Sequence, residues 1–100
     1  MKSLNTYITE KFKIRKSSYK FFPKTKAELH DLLKQLIYER GNEGDFNDID
    51  TSKITDMSEL FRNMHKFNGD ISKWDVSNVN DMTDMFKYCP IKEKYKPKFI

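Results

Sequence analysis

Cysteine, proline and glycine are all scarce in this 100-residue chain, with one, three and three residues respectively. A single thiol, Cys89, excludes an internal disulfide and any cysteine-rich zinc site. With no activating partner nearby in sequence, it reads as a small core or turn residue rather than a nucleophile. Glycine occurs only at 41, 44 and 69, which leaves no phosphate-cradling loop. The two histidines, His30 and His65, are distant in sequence and sit in no metal or catalytic motif, and no nucleophile elbow is present. The expectation is a non-enzymatic chain with no cofactor and no metal. No apolar run approaches the roughly 20 residues needed to cross a bilayer. Nor does an apolar region of about 7–15 residues follow Met1-Lys2, so standard secretion is not expected.

What is present is enough to fold. Hydrophobic residues make up 37% of the chain, aromatics 14% and charged residues 34%, too apolar for a disordered tail. A single domain of this size buries on the order of 60–65% of its unfolded surface, so the core should be modest. The net charge of +4 conceals a partition. Residues 1–26 carry eight Lys or Arg against Glu10; residues 27–86 carry thirteen acids against six bases; residues 87–100 carry five Lys against Glu93. Basic ends thus flank an acidic centre, and the plainest expectation is that they pack beside it or are solvated. Lys11, Lys13, Arg15, Lys16, Lys20, Lys24 and Lys26 interleave with Phe12, Tyr19, Phe21 and Phe22, a composition suited to phosphate contact and base stacking. The acidic centre would repel nucleic acid, which places that reading behind a protein partner.

Along the chain, Leu4, Tyr7, Ile8 and Phe12 share one face of an amphipathic helix at 2–12, and residues 13–18 form a basic connector. Tyr19 to Phe22, stopped by Pro23, suggest a short strand. Thr25 and Glu28 then make a capping box before an apolar stripe of Leu29, Leu32, Leu33, Leu36 and Ile37. Arg40 complements the helix dipole and Gly41 supplies the C-terminal left-handed position, so a helix is expected over about 26–40. The chain divides as 1–18, an N-terminal helix and connector; 19–44, a β-α cap; 45–89, two repeats; and 90–100, a tail.

The repeat emerges when Ile49–Phe61 is set against Trp74–Phe86. Asp50/Asp75, Ser52/Ser77, Asp56/Asp81, Met57/Met82 and Phe61/Phe86 are identical, Thr51/Val76, Ile54/Val79, Ser58/Thr83 and Leu60/Met85 are similar, and Asp45/Asp70 with Phe46/Ile71 extend the register. The spacing predicts a short strand, a corner and a short helix per unit, with a period inside the roughly 20–29 of leucine-rich repeats. The expected fold is therefore α/β, a short leucine-rich-repeat-like solenoid of parallel strands and short helices with an N-terminal helix and a β-α cap. Stacked units share one core, which predicts that Ile71, Trp74, Val76, Val79, Met82, Met85 and Phe86 are buried with their counterparts one unit earlier. Asp50/Asp75 and Ser52/Ser77 read as corner residues bonding nearby amides. Asp45, Asp48 and Asp50 offer oxygens, but the glycine and distal glutamate of a calcium loop are missing. The tail, through Ile91, Tyr95, Phe99 and Ile100, is expected to cover the far end, failing which an open edge could pair with another chain, including a second copy.

FNGDISKWDVSNVNDMTDMF at 67–86 resembles the repeat of BspA-like leucine-rich-repeat proteins. Phe67, Asn68, Asp70, Ile71, Ser72, Trp74, Asp75, Val76, Ser77, Asn78, Val79, Asp81, Met82, Met85 and Phe86 carry the likeness; the earlier unit is similar with Ile49 in place of Trp. The resemblance covers about residues 45–89 and implies a protein-binding role without a catalytic centre, as in bacterial surface or secreted proteins implicated in adhesion. Few repeats and no export signal depart from that pattern. MKSLNTYITE resembles starts seen on tailed-phage proteins, which hints at a phage source. A virion or assembly component whose exposed units stack on other subunits is an alternative, and the absence of a signal peptide leads to the expectation of a cytoplasmic or virion-associated location. If the strand face binds, Asp70, Ser72 and Lys73 are the nearest contact residues.

Overall fold

Among the described residues, Thr25 starts the one long regular element. Its extended backbone (φ −132°, ψ 162°) frees the side chain to accept from Glu28 N–H at 3.2 Å, and Glu28 reaches back to accept from Lys24 N–H at 2.8 Å. Helix α1 runs from Lys26 to Arg40 and ends at Gly41, whose φ of 85° suits glycine and whose N–H closes on the Ile37 carbonyl at 2.8 Å. Leu29, Leu33 and Leu36 are its buried stripe. The computed structural model describes residues 19–99; the helix expected at 2–12 and the connector at 13–18 lie outside the described residues.

The α/β solenoid of parallel strands and short helices is not what these residues form. Among the described residues, α1 is the only α-helix, a 3-10 turn spans Glu93–Tyr95, and no sheet is present. Pairing is confined to three isolated parallel bridges, Phe21 with Ile49, Asp45 with Asp70 and Asp56 with Asp81. The strand expected at 19–22 shrinks to Phe21, so the β-α cap is α1 preceded by a single bridge.

The expected short helices are tandem turns. Leu60 N–H bonds to the Met57 carbonyl and Met64 N–H to that of Phe61; at the equivalent positions of the second repeat, Met85 bonds to Met82 and Cys89 to Phe86. In each turn the third residue is left-handed: Glu59 (φ 58°), Asn63 (65°), Asp84 (54°) and Tyr88 (61°), as type II geometry requires. The backbone therefore repeats with the same period as the sequence.

The reason lies between the repeats. The N–H groups of Met57, Glu59, Phe61 and Asn63 donate to the carbonyls of Asp81, Thr83, Met85 and Lys87 at 2.8–2.9 Å. In an α-helix most of those donors would be consumed internally; turns leave every second one free to join the layers. Corners are fixed by aspartate. Asp45, Asp50 and Asp56, and their counterparts Asp70, Asp75 and Asp81, each accept from the backbone N–H two residues on, at 2.8–3.0 Å. Thr51 Oγ1 and Asn78 Nδ2 add interlayer bonds to the Asp75 and Ser52 carbonyls.

Between the layers runs an aromatic column. Phe61 stacks on Phe67 (centroids 4.6 Å) and on Phe86 (5.6 Å), and tilts against Trp74 (5.8 Å). The Trp74 indole N–H, buried, donates to the Phe46 carbonyl at 2.9 Å. Gly69 lies so near this column that a Cβ there would come within 2.5 Å of the Phe46 ring. On the other side, Arg40 joins α1 to the first layer. Its guanidinium makes a two-pronged pair with Asp48 (both 2.9 Å), bonds to the Asp45 carbonyl, and lies over the Phe21 and Phe46 rings.

Candidate functional site

The two repeats share a backbone but not an environment. In the first, Phe46, Ile49, Thr51, Ile54, Met57, Leu60 and Phe61 are all buried beneath α1 and the second layer. In the second, Ile71, Trp74 and Met85 are buried, whereas Val76, Val79 and Phe86 are covered only in part. Met82 corrects the expected core: it is 41% exposed where its counterpart Met57 is 0%. One further layer would bury it, and the described residues supply half of one. The Ile71 N–H donates to the Tyr95 carbonyl at 3.0 Å, as Phe46 N–H does to that of Asp70. Phe99 follows Trp74 by the same interval that separates Trp74 from Ile49. Beyond that point the second layer lies open, with a cleft of about 740 Å³ between Met82–Lys87 and Glu93–Phe99, and a smaller one of about 410 Å³ by Trp74, Val76 and Val79.

The hydrogen-bond row is open there too. Met82, Asp84, Phe86 and Tyr88 correspond to the four donors of the first layer, and their N–H groups have no hydrogen-bond partner among the described residues. On the opposite side the first layer lies against α1: Lys26 Nζ donates to the Ser58 carbonyl (3.2 Å) and to Ser58 Oγ (2.9 Å), and pairs with Asp56 at 3.5 Å.

The three sequence-derived contact residues do not converge on one cleft. Asp70 is committed to its corner, its carboxylate accepting from Ser72 N–H and Ser72 Oγ at 2.9 and 2.7 Å. Ser72 borders the 740 Å³ cleft, while Lys73 borders a different one with Lys20, Arg40 and Asp48. Sequence reasoning missed the backbone donors and the lysines, Lys94 and Lys98, that line the 740 Å³ cleft; it placed Phe99 in a covering tail, but not one period after Trp74, the recurrence that ties it to the repeat.

Electrostatics reinforce the framework. The Arg40 guanidinium holds the Asp48 carboxyl below the usual carboxylate range, and hydrogen bonds from Ser58 and Ser77 do the same for Asp56 and Asp75. At Asp70, burial pushes upward, but hydrogen bonds from Ser72 and Asn47 prevail and the net shift is down. Burial pushes the Cys89 thiol up, and its Sγ lies 3.6 Å from the Phe67 carbonyl. Of the basic-aromatic residues weighed for nucleic acid, Lys26 is tied to the first layer and Phe21 packs against the core, while Phe22 is exposed; Lys11, Phe12, Lys13, Arg15 and Lys16 lie outside the described residues. Among the described residues, no group of three or more His, Cys, Asp or Glu could hold a metal, and no helix is long and apolar enough to cross a membrane.

No curated protein and no solved structure matched this sequence. A family model does: residues 29–93, from the buried stripe of α1 through both layers to the start of the 3-10 turn, match the one described as Mycoplasma protein of unknown function, DUF285. The chain belongs to that family.

Proposed function

We propose that this chain is a non-enzymatic protein-interaction module that binds through the open side of its second repeat layer. The observation that carries the reading is the contrast between Met57, sealed, and Met82, 41% exposed at the equivalent position. A layered repeat buries its apolar face only against a neighbour, and here one neighbour is half supplied. The likeness of 67–86 to BspA-like repeats supports the same reading, because proteins that carry such repeats are implicated in adhesion and protein binding.

The test is affinity capture from the native source with the wild-type chain and with two charge variants. Met82→Glu places a carboxylate on the open layer; Lys34→Glu places one on an exposed position of α1. Partners held by wild type and by Lys34→Glu, but lost from a folded Met82→Glu, are the expected result. Undiminished capture by Met82→Glu would remove this face from consideration.

A further inference from the structure

Layer-to-layer bonding in this molecule has a direction. The peptide group that offers the Thr83 carbonyl to Glu59 N–H is the same group that carries Asp84 N–H on its other side. The units joining 81 to 82, 85 to 86 and 87 to 88 are placed alike, so four peptide dipoles lie along the stack. One row can be followed through. Lys26 Nζ donates to the Ser58 carbonyl, Glu59 N–H donates to the Thr83 carbonyl, and Asp84 N–H ends the row without a partner among the described residues. Hydrogen bonds aligned in this way polarise one another, and a concavity of backbone N–H groups favours anions and carbonyl oxygens. The same cleft is edged by Lys87, Lys94, Lys96 and Lys98 against Asp84 and Glu93.

From the donor row, the exposed Met82 and the surrounding lysines, we infer that the open layer receives an acidic repeat-type segment of another protein. That segment lays alternate backbone carbonyls on the N–H groups of Met82, Asp84, Phe86 and Tyr88. The inference rests on the reading that this face binds a protein, and specifies the chemistry of what it binds. A second copy of this chain does not meet the requirement. The carbonyl side of its own first layer is covered by α1, with Lys26 already bonded to Ser58, and two open faces brought together would set donors against donors. The partner therefore presents acceptors without a covering helix. Its charge complements the basic rim, as the acidic repeat region 27–86 complements the basic ends of this chain.

The experiment uses the full isotope-labelled chain, with a synthetic peptide of residues 70–88 as the acceptor-bearing probe and a scrambled peptide of equal composition as control. In the free chain the amides of Met82, Asp84, Phe86 and Tyr88 should exchange rapidly, unlike those of Met57, Glu59, Phe61 and Asn63. Peptide should slow the four by about tenfold or more. Binding should weaken as salt rises, and by about fivefold or more in Lys94→Glu/Lys98→Glu, a change confined to exposed side chains. Protection of the four amides in the free chain, equal binding of the scrambled peptide, or indifference to the double charge reversal would overturn the inference. If the peptide fails while Met82→Glu still strips partners in the capture experiment, the acidic-segment inference falls and the reading of the face survives.

Discussion

Tyr88 stands where the backbone favours glycine, and Gly69 stands where no side chain fits. Tyr88 holds a left-handed backbone, which costs an L-residue about 1–2 kcal/mol, yet its side chain is 62% exposed and returns little packing. Gly69 is hemmed in by the buried rings of Phe46 and Phe67. Opposite outcomes are expected in urea unfolding. Tyr88→Gly should raise the midpoint, by at most about 1 kcal/mol once the greater freedom of unfolded glycine is set against the relief. Gly69→Ala should lower stability by about 1–3 kcal/mol, because Phe46 has nowhere to retreat. A gain from Gly69→Ala would mean that the rings are not packed as described.

Among the elements, α1 was legible in the sequence and the layers were only half so. The helix signals at Thr25, Glu28 and Gly41 are local, each side chain or φ angle acting within a few residues, and local chemistry can be read from a string. The period of the repeat was equally visible, as was the use of Asp50 and Asp75 at corners. The conformation of Met57–Phe61 was not. Met57, Leu60 and Phe61 have spacing compatible with a helix, but the backbone there answers to the carbonyls of Asp81, Thr83 and Met85 in the next layer, and a periodicity of side chains carries no information about where amides point. The exposure of Met82 was hidden for a related reason: identity with Met57 reports the repeat, while burial depends on which layer comes next. As for α1 itself, Thr25→Ala should cost about 1 kcal/mol by loss of the N-cap acceptor. A thermal melt followed by far-ultraviolet circular dichroism should record it, with the helical signal at low temperature retained because the buried leucines still dock.

For the whole molecule, the carboxylates act together. Asp48, Asp56, Asp70 and Asp75 all titrate below the ordinary range in the folded chain. A carboxyl depressed by folding contributes stability that is present above its unfolded pKa, near 4, and is lost as the pH falls through its folded value. Unfolding midpoints should therefore be nearly level from neutral pH to about 5 and fall progressively below 4. Asp48→Asn should flatten part of that fall, because Asp48 loses the most specific of these partners, the two-pronged Arg40 contact. An acid limb unchanged in that variant would show that Arg40 does not depress the Asp48 carboxyl.

Trp74 is the sole tryptophan of the chain, 5% exposed, with its indole bonded to Phe46 in the layer before and its ring against Phe61. Its emission comes from the seam itself. Any event that parts the two repeats, whether acid, urea or a substituted side chain, must bring water to this one indole and move its fluorescence to longer wavelength, so the molecule carries its own optical gauge of whether the seam is shut.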